Sequence, residues 1–172
     1  MRVFFALWPD AATRALIAEA AAALHLTGSA RLVSGKNFHL TLAFVGDVAE
    51  RQLESLLEIG RRQHGSACTI RFDRYEYWPE PRAAVAVARE PPAALIELWR
   101  RLHEDLRLRA RASLRAHVTL ARKVPQAPVL QAMSPFCWSA RSFSLVRSDT
   151  SGPESVYTVV GTWPLLDEAP KP

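Results

Sequence analysis

The 172-residue chain predicts an α+β fold: a pseudo-symmetric pair of strand-helix-strand units, with antiparallel sheets lining a central cleft and helices outside. Three observations carry this expectation. The order strand, helix, His-x-Thr-Leu occurs twice, ending at His39-Leu40-Thr41-Leu42 and at His117-Val118-Thr119-Leu120. Matching landmarks in the two copies (Arg2 and Ala83, Pro9 and Pro91, His39 and His117) are offset by 81, 82 and 78 positions, the regularity of an internal duplication. Each motif also lies in an apolar run, where alternation gives one buried and one open face. Residues 1–172 are expected to form one domain of two lobes, about 1–80 and 81–172, with the closing strands open to exchange between them.

Arg2 to Trp8 (RVFFALW) reads as a strand, and Pro9-Asp10 starts a helix whose apolar stripe is Leu16, Ile17, Ala20, Ala21 and Leu24. In the first motif strand, alternation turns Leu40, Leu42 and Phe44 toward a core and His39 and Thr41 to the open face. A helix follows over 49–63, with Leu53, Leu56 and Leu57 inward, and then a strand from Thr69 to about Trp78. The second unit opens with the strand Ala83 to Ala88. Pro91-Pro92 then starts a helix with the stripe Leu95, Leu98, Trp99, Leu102 and Leu106. Beyond the second motif, Pro125 to Pro135 reads as a connection. Phe143 to Ser148 and Val156 to Trp163 read as closing strands, separated by a turn at Ser151, Gly152 and Pro153.

Composition narrows the function classes. A net charge of +5 permits polyanionic partners, although an arginine bias that leaves only Lys36, Lys123 and Lys171 as lysines is no specific signal. No run approaches the roughly 20 apolar residues of a membrane span, and the N-terminus lacks the pattern of a signal peptide, so a cytoplasmic protein without membrane contacts is expected; a monomer is the expected state, although the sequence carries no mark of it. Cys68 and Cys137 are expected to be buried thiols. The histidines His25, His39, His64, His103 and His117 show neither HExxH nor zinc-type spacing, so no metal and no cofactor are expected.

A single His-x-Thr-Leu is readily explained as a strand histidine with satisfied nitrogens. Two copies brought across one cleft supply an acid, a base and donors for phosphate oxygens, the needs of metal-free phosphoryl transfer. An imidazole near its ordinary pKa of about 6.5 can fill either role at neutral pH. Strict alternation puts Lys123 on the face of His117 and Arg122 on the other, unless the strand ends or bulges after Ala121. Secondary candidates are the run Arg107, Arg109, Arg111 and Arg115 as a groove lining, Lys36 and Asn37 beside the first motif, and an aromatic platform drawn from Tyr157, Trp78, Trp99, Trp138 and Trp163. Helical spacing assigns Trp99 to the core.

With its paired motifs, the opening RVFFAL, the extended run Asn37 to Gly46, the trailing arginine of His117-Val118-Thr119-Leu120-Ala121-Arg122, and Tyr157 and Trp163 near the C-terminus, the chain resembles the 2H phosphoesterases. Within them it is most similar to the RNA 2′,3′-cyclic phosphodiesterases, also called 2′-5′ RNA ligases. The resemblance implies a bilobed fold and hydrolysis of RNA 2′,3′-cyclic phosphate ends to 2′-phosphates without metal or cofactor, with 2′-5′ ligation as a related activity. It implies that His39 donates a proton to the departing 3′ oxygen and that His117 activates water. Thr41 and Thr119 would bind phosphate oxygens, and Arg122 would add charge. A small cyclic phosphate, such as that of ADP-ribose, and a non-catalytic module holding RNA ends are the alternatives.

Overall fold

The computed structural model describes residues 1–109, 113–128, 131–152 and 155–167. In chain order its elements are β1 (Arg2–Leu7), α1 (Ala11–Ala22), β2 (Arg31–Leu32), β3 (Leu40–Asp47), α2 (Leu53–Arg62), β4 (Cys68–Phe72), β5 (Arg74–Trp78), β6 (Ala83–Val87), α3 (Ala93–Asp105), β7 (His117–Arg122), β8 (Phe136–Ala140), β9 (Ser142–Asp149) and β10 (Val156–Pro164). The α+β class is as the sequence predicts. One four-stranded sheet has the order β10-β9-β1-β3, a second β2-β7-β6-β5, and β4 pairs with β8 in a two-stranded ribbon; every pairing between these strands is antiparallel.

β1 and β6 are apolar along almost their whole length because each is an inner strand of its sheet. The side chain of Asp10 caps α1 by accepting the Thr13 amide at 2.7 Å, which fixes where the chain turns out of β1. α1 packs against β7 of the second sheet, and Tyr75 Oη donates to the Ala20 carbonyl at 2.8 Å. α3 packs against β3 of the first. Each helix thus buries its apolar stripe on the sheet of the other unit, and a single core runs from Phe5 and Leu40 through Leu98 and Leu102 to Val118 and Leu120. α2 docks on β9 and β10, where Trp163 lies so close to Gly60 that a Cβ there would stand 2.3 Å from the indole. Among the described residues no helix is long and apolar enough to cross a membrane.

Several expectations are corrected. The segment from Thr69 to Trp78 is not one strand: it breaks at Asp73, whose carboxylate holds Arg89 at 2.9 Å and Arg71 at 3.3 Å, and its halves pair with β8 and β6. β8, directly after Pro135, was not expected; it buries Phe136, Trp138 and Ala140 and turns Cys137 outward, so that thiol is exposed. Leu16 lies off the buried face of α1, which is Thr13, Ile17, Ala20 and Ala21. Pro153 and Arg111 lie outside the described residues.

The correction with most consequence concerns Phe44. Ala6 pairs with Thr41 but Phe5 pairs with Ala43, so Leu42 is an extra residue in β3, a β-bulge. The bulge resets the alternation: Leu42 and Ala43 are both buried, and Phe44 emerges 47% exposed on the open side. β7 repeats the device, since Val85 pairs with Thr119 and Ala84 with Ala121, leaving Leu120 extra. Leu120 and Ala121 are both buried, and Arg122 is turned outward.

Candidate active site

The two sheets meet over a cleft of about 1270 Å³ lined by His39, Thr41, Phe44, His117, Thr119 and Arg122 among others. All five residues singled out by the motifs are therefore gathered in one place. Lys123 is not among the lining residues; it follows the strand at φ 56° with its carbonyl accepting from Ser29 Oγ, and the bulge one residue before Ala121 gives the cleft face to Arg122 instead. Phe44 is hidden in the sequence because unbroken alternation sends it to the core. Superposing the two copies finds it: counted from each histidine, Phe44 occupies the place of Arg122.

The histidines are held alike. Nδ1 of His39 donates to the Asn37 carbonyl, and Nδ1 of His117 to the Arg115 carbonyl, each at 2.7 Å. A carbonyl can only accept, so Nδ1 carries the proton in each neutral ring and Nε2 conducts the ring's proton chemistry. Their surroundings differ. Trp8 stacks on His39 at 5.5 Å and 8°, with Phe4 at 5.0 Å and Tyr157 edge-on at 5.3 Å. Trp78 lies 4.3 Å from His117; the Arg115 guanidinium sits 4.5 Å over the same indole and is tied to Glu76, which also accepts the indole N–H at 2.8 Å.

These surroundings move His39 away from ordinary histidine behaviour. Burial lowers its pKa from 6.5 to about 4; the bond to Asn37 opposes this, and the charges of Arg122 and His117 add to the lowering. The expectation of an unperturbed imidazole fails because it leaves out the aromatic enclosure, which comes from Phe4 of β1, Trp8 just after it and Tyr157 of β10. The unfolded chain takes up the proton near pH 6.5 and the folded chain only near pH 4, so folding loses stability as the pH falls between these values, by about 3 kcal/mol. NMR titration should find His39 ionising near pH 4 in the free protein and at higher pH with inorganic phosphate present, since the anion offsets the charge of Arg122. An ordinary titration near 6.5, or no response to phosphate, contradicts this picture.

The secondary candidates divide. Tyr157 and Trp78 stand beside the catalytic candidates, and Trp99, expected in the core, lines the cleft; Trp138 is fully buried, and Trp163 packs against the core. Arg109 and Arg115 line the cleft, whereas Arg107 does not. Asn37 turns to the loop before β10, where its Nδ2 donates to the Ser155 carbonyl at 3.0 Å. Among the described residues no group of three or more His, Cys, Asp or Glu side chains is placed to hold a metal ion.

Known proteins resemble this chain in sequence and in fold. Residues 7–88 match the family model described as LigT like phosphoesterase. The chain is 28% identical over 170 residues to an RNA 2′,3′-cyclic phosphodiesterase of Escherichia coli strain K12, covering 95% of this chain and 96% of the relative. It is 29% identical over 188 residues to one from Thermus thermophilus, covering 98% and 92%. The crystal structure of E. coli LigT complexed with 3′-AMP superposes with a TM-score of 0.84 at 26% identity, over 96% of this chain and 98% of that one.

Proposed function

Because the chain belongs to the LigT-like phosphoesterases, we propose that it hydrolyses RNA 2′,3′-cyclic phosphate ends to 2′-phosphates, with His39 and His117 as acid and base. The observation that carries this reading is the duplicated unit itself: on each side of one cleft, an imidazole fixed through Nδ1 and a threonine hydroxyl two residues on. Water attacks phosphorus as the P–O3′ bond breaks. His117 Nε2 takes the proton from water and His39 Nε2–H gives one to the 3′ oxygen, leaving a 2′-phosphate and a 3′-hydroxyl. Thr41 and Thr119 donate to the non-bridging oxygens and Arg122 balances their charge. With a 5′-hydroxyl in place of water the same steps give a 2′-5′ phosphodiester.

The low pKa of His39 bears on its role. Burial first, and the charges of Arg122 and His117 second, disfavour the protonated ring; a phosphate anion bound beside it opposes both by pairing with the imidazolium, so proton uptake is linked to phosphate binding. The cleft volume exceeds the roughly 300–1,000 Å³ of small-ligand pockets, and the three guanidinium groups of Arg109, Arg115 and Arg122 line it. Both features favour an RNA end over a small cyclic phosphate.

The test is incubation of the purified protein with an RNA oligonucleotide ending in a 2′,3′-cyclic phosphate, with and without EDTA. The expected product is the 2′-phosphate, at equal rates in both. Activity lost in EDTA and restored by zinc or manganese overturns the metal-free mechanism, and binding without turnover overturns the enzyme in favour of an end-binding module.

A further inference from the structure

Each motif owes its geometry to a bulge, and a bulge leaves a backbone group without its regular ladder partner. In β7 the Leu120 carbonyl accepts the Val33 amide at 2.8 Å, from the chain that runs alongside as β2. β3 has no such neighbour, for it is the outer strand of its sheet. Its Leu42 carbonyl is met instead by a side chain: His103 Nε2, from the last turn of α3, lies 3.1 Å away. Trp99, one turn earlier on α3, packs against the same ring at 4.6 Å, and both residues line the cleft.

The acceptor is a carbonyl, so Nε2 of His103 carries the hydrogen and Nδ1 is left with a lone pair. That Nδ1 is buried without a hydrogen-bond partner among the described residues, an unfavourable arrangement that an apolar side chain packing on Trp99 would avoid. The polar ring is thus explained by the bond it makes at Leu42. Leu42 is the residue that separates Thr41 from Phe44 and decides that both face the cleft.

We propose that His103 is a positioning residue: its Nε2–H holds the Leu42 bulge, and through it places Thr41 and Phe44 in the cleft, as the Val33 amide does at Leu120 for Thr119 and Arg122. This rests on the proposed phosphodiesterase reading. His103 touches no reacting atom in this role.

His103→Phe keeps a ring against Trp99 and removes the donor, whereas His103→Gln returns an amide N–H near the position of Nε2. kcat/KM on the cyclic-phosphate oligonucleotide should fall about three- to tenfold in His103→Phe and recover in His103→Gln, as for the loss and return of one hydrogen bond. In a Thr41→Val background His103→Phe should add little, while in a Thr119→Val background it should keep its full effect. Equal effects in both backgrounds, or lowered Tm with wild-type kinetics in His103→Phe, would overturn the proposal. NMR gives a readout independent of turnover. Imidazole ¹⁵N spectra of the wild-type protein should show the Nε2–H tautomer of His103, and His103→Phe should shift Thr41 and Phe44 signals more than those of Thr119. An Nδ1–H tautomer, or no shift at Thr41, overturns the assignment even if the enzyme reading stands; a wild-type protein inactive on the cyclic phosphate but showing both spectra removes the enzyme reading alone.

Discussion

Replacing either His39 or His117 with alanine is expected to lower kcat/KM for cyclic-phosphate hydrolysis by about 10²- to 10⁴-fold, the usual contribution of a positioned acid or base. The expectation follows from the way both rings are held, Nδ1 against the carbonyl two residues earlier, so that each Nε2 works at a fixed place on its side of the cleft. The double variant should be little slower than either single one, because an acid and a base that act in one transition state lose most of their value when the partner is gone. Both side chains stand on the open side of their strands, while the core is formed by Leu40, Leu42, Val118 and Leu120, so cooperative unfolding should persist. Steady-state kinetics on samples matched by circular dichroism decide the matter. Near wild-type turnover in either single variant rules out a two-histidine mechanism.

Thr41→Val and Thr119→Val form the second large test. Valine keeps the β-branched shape that suits a strand and deletes only the hydroxyl. If each hydroxyl meets a phosphate oxygen as charge builds on it, its loss should cost about 10²- to 10³-fold, mostly in kcat, by comparison with oxyanion-hole donors. The backbones of both residues lie next to a bulge, yet neither is the extra residue, so pairing with Ala6 and Val85 should survive the change. Unchanged kinetics in both variants would make the threonines structural.

The paired motifs were legible because their information is local: periodicity marks the strands, proline and small polar residues mark the helix starts, and repetition marks the face that matters. What was not legible depends on partners distant in sequence. Nothing in Thr41-Leu42-Ala43 or Thr119-Leu120-Ala121 announces a bulge, which exists only when β1 or β6 is laid alongside, so alternation alone turns Phe44 inward and leaves Arg122 in competition with Lys123. The segment breaks at Asp73 because pairing passes there from β8 to β6, partners that lie far apart in sequence, and Arg89 and Arg71 meet its carboxylate at the break. The lowered pKa of His39 is of the same kind, since Trp8 and Tyr157 come from opposite ends of the chain. Trp99 and His103 carry a helical spacing that fits a core as well as a cleft, and only the packing of α3 on β3 separates the two.

The matched bulges also bear on direction. Two like half-sites facing each other would receive a phosphodiester equally well in either of two orientations, which interchange the atom that leaves with the atom that attacks. Such degeneracy would commit half of all encounters to the wrong regiochemistry. On the proposed reading Phe44 and Arg122 would help to lift it, together with the unlike aromatic surroundings of His39 and His117, for they stand at the same place in each repeat but differ as an apolar ring differs from a cation. A preference of only about 1.4 kcal/mol for one orientation gives a tenfold bias. On the proposed reading, the twofold frame of the two motifs would thus hold a bound RNA end in one sense only.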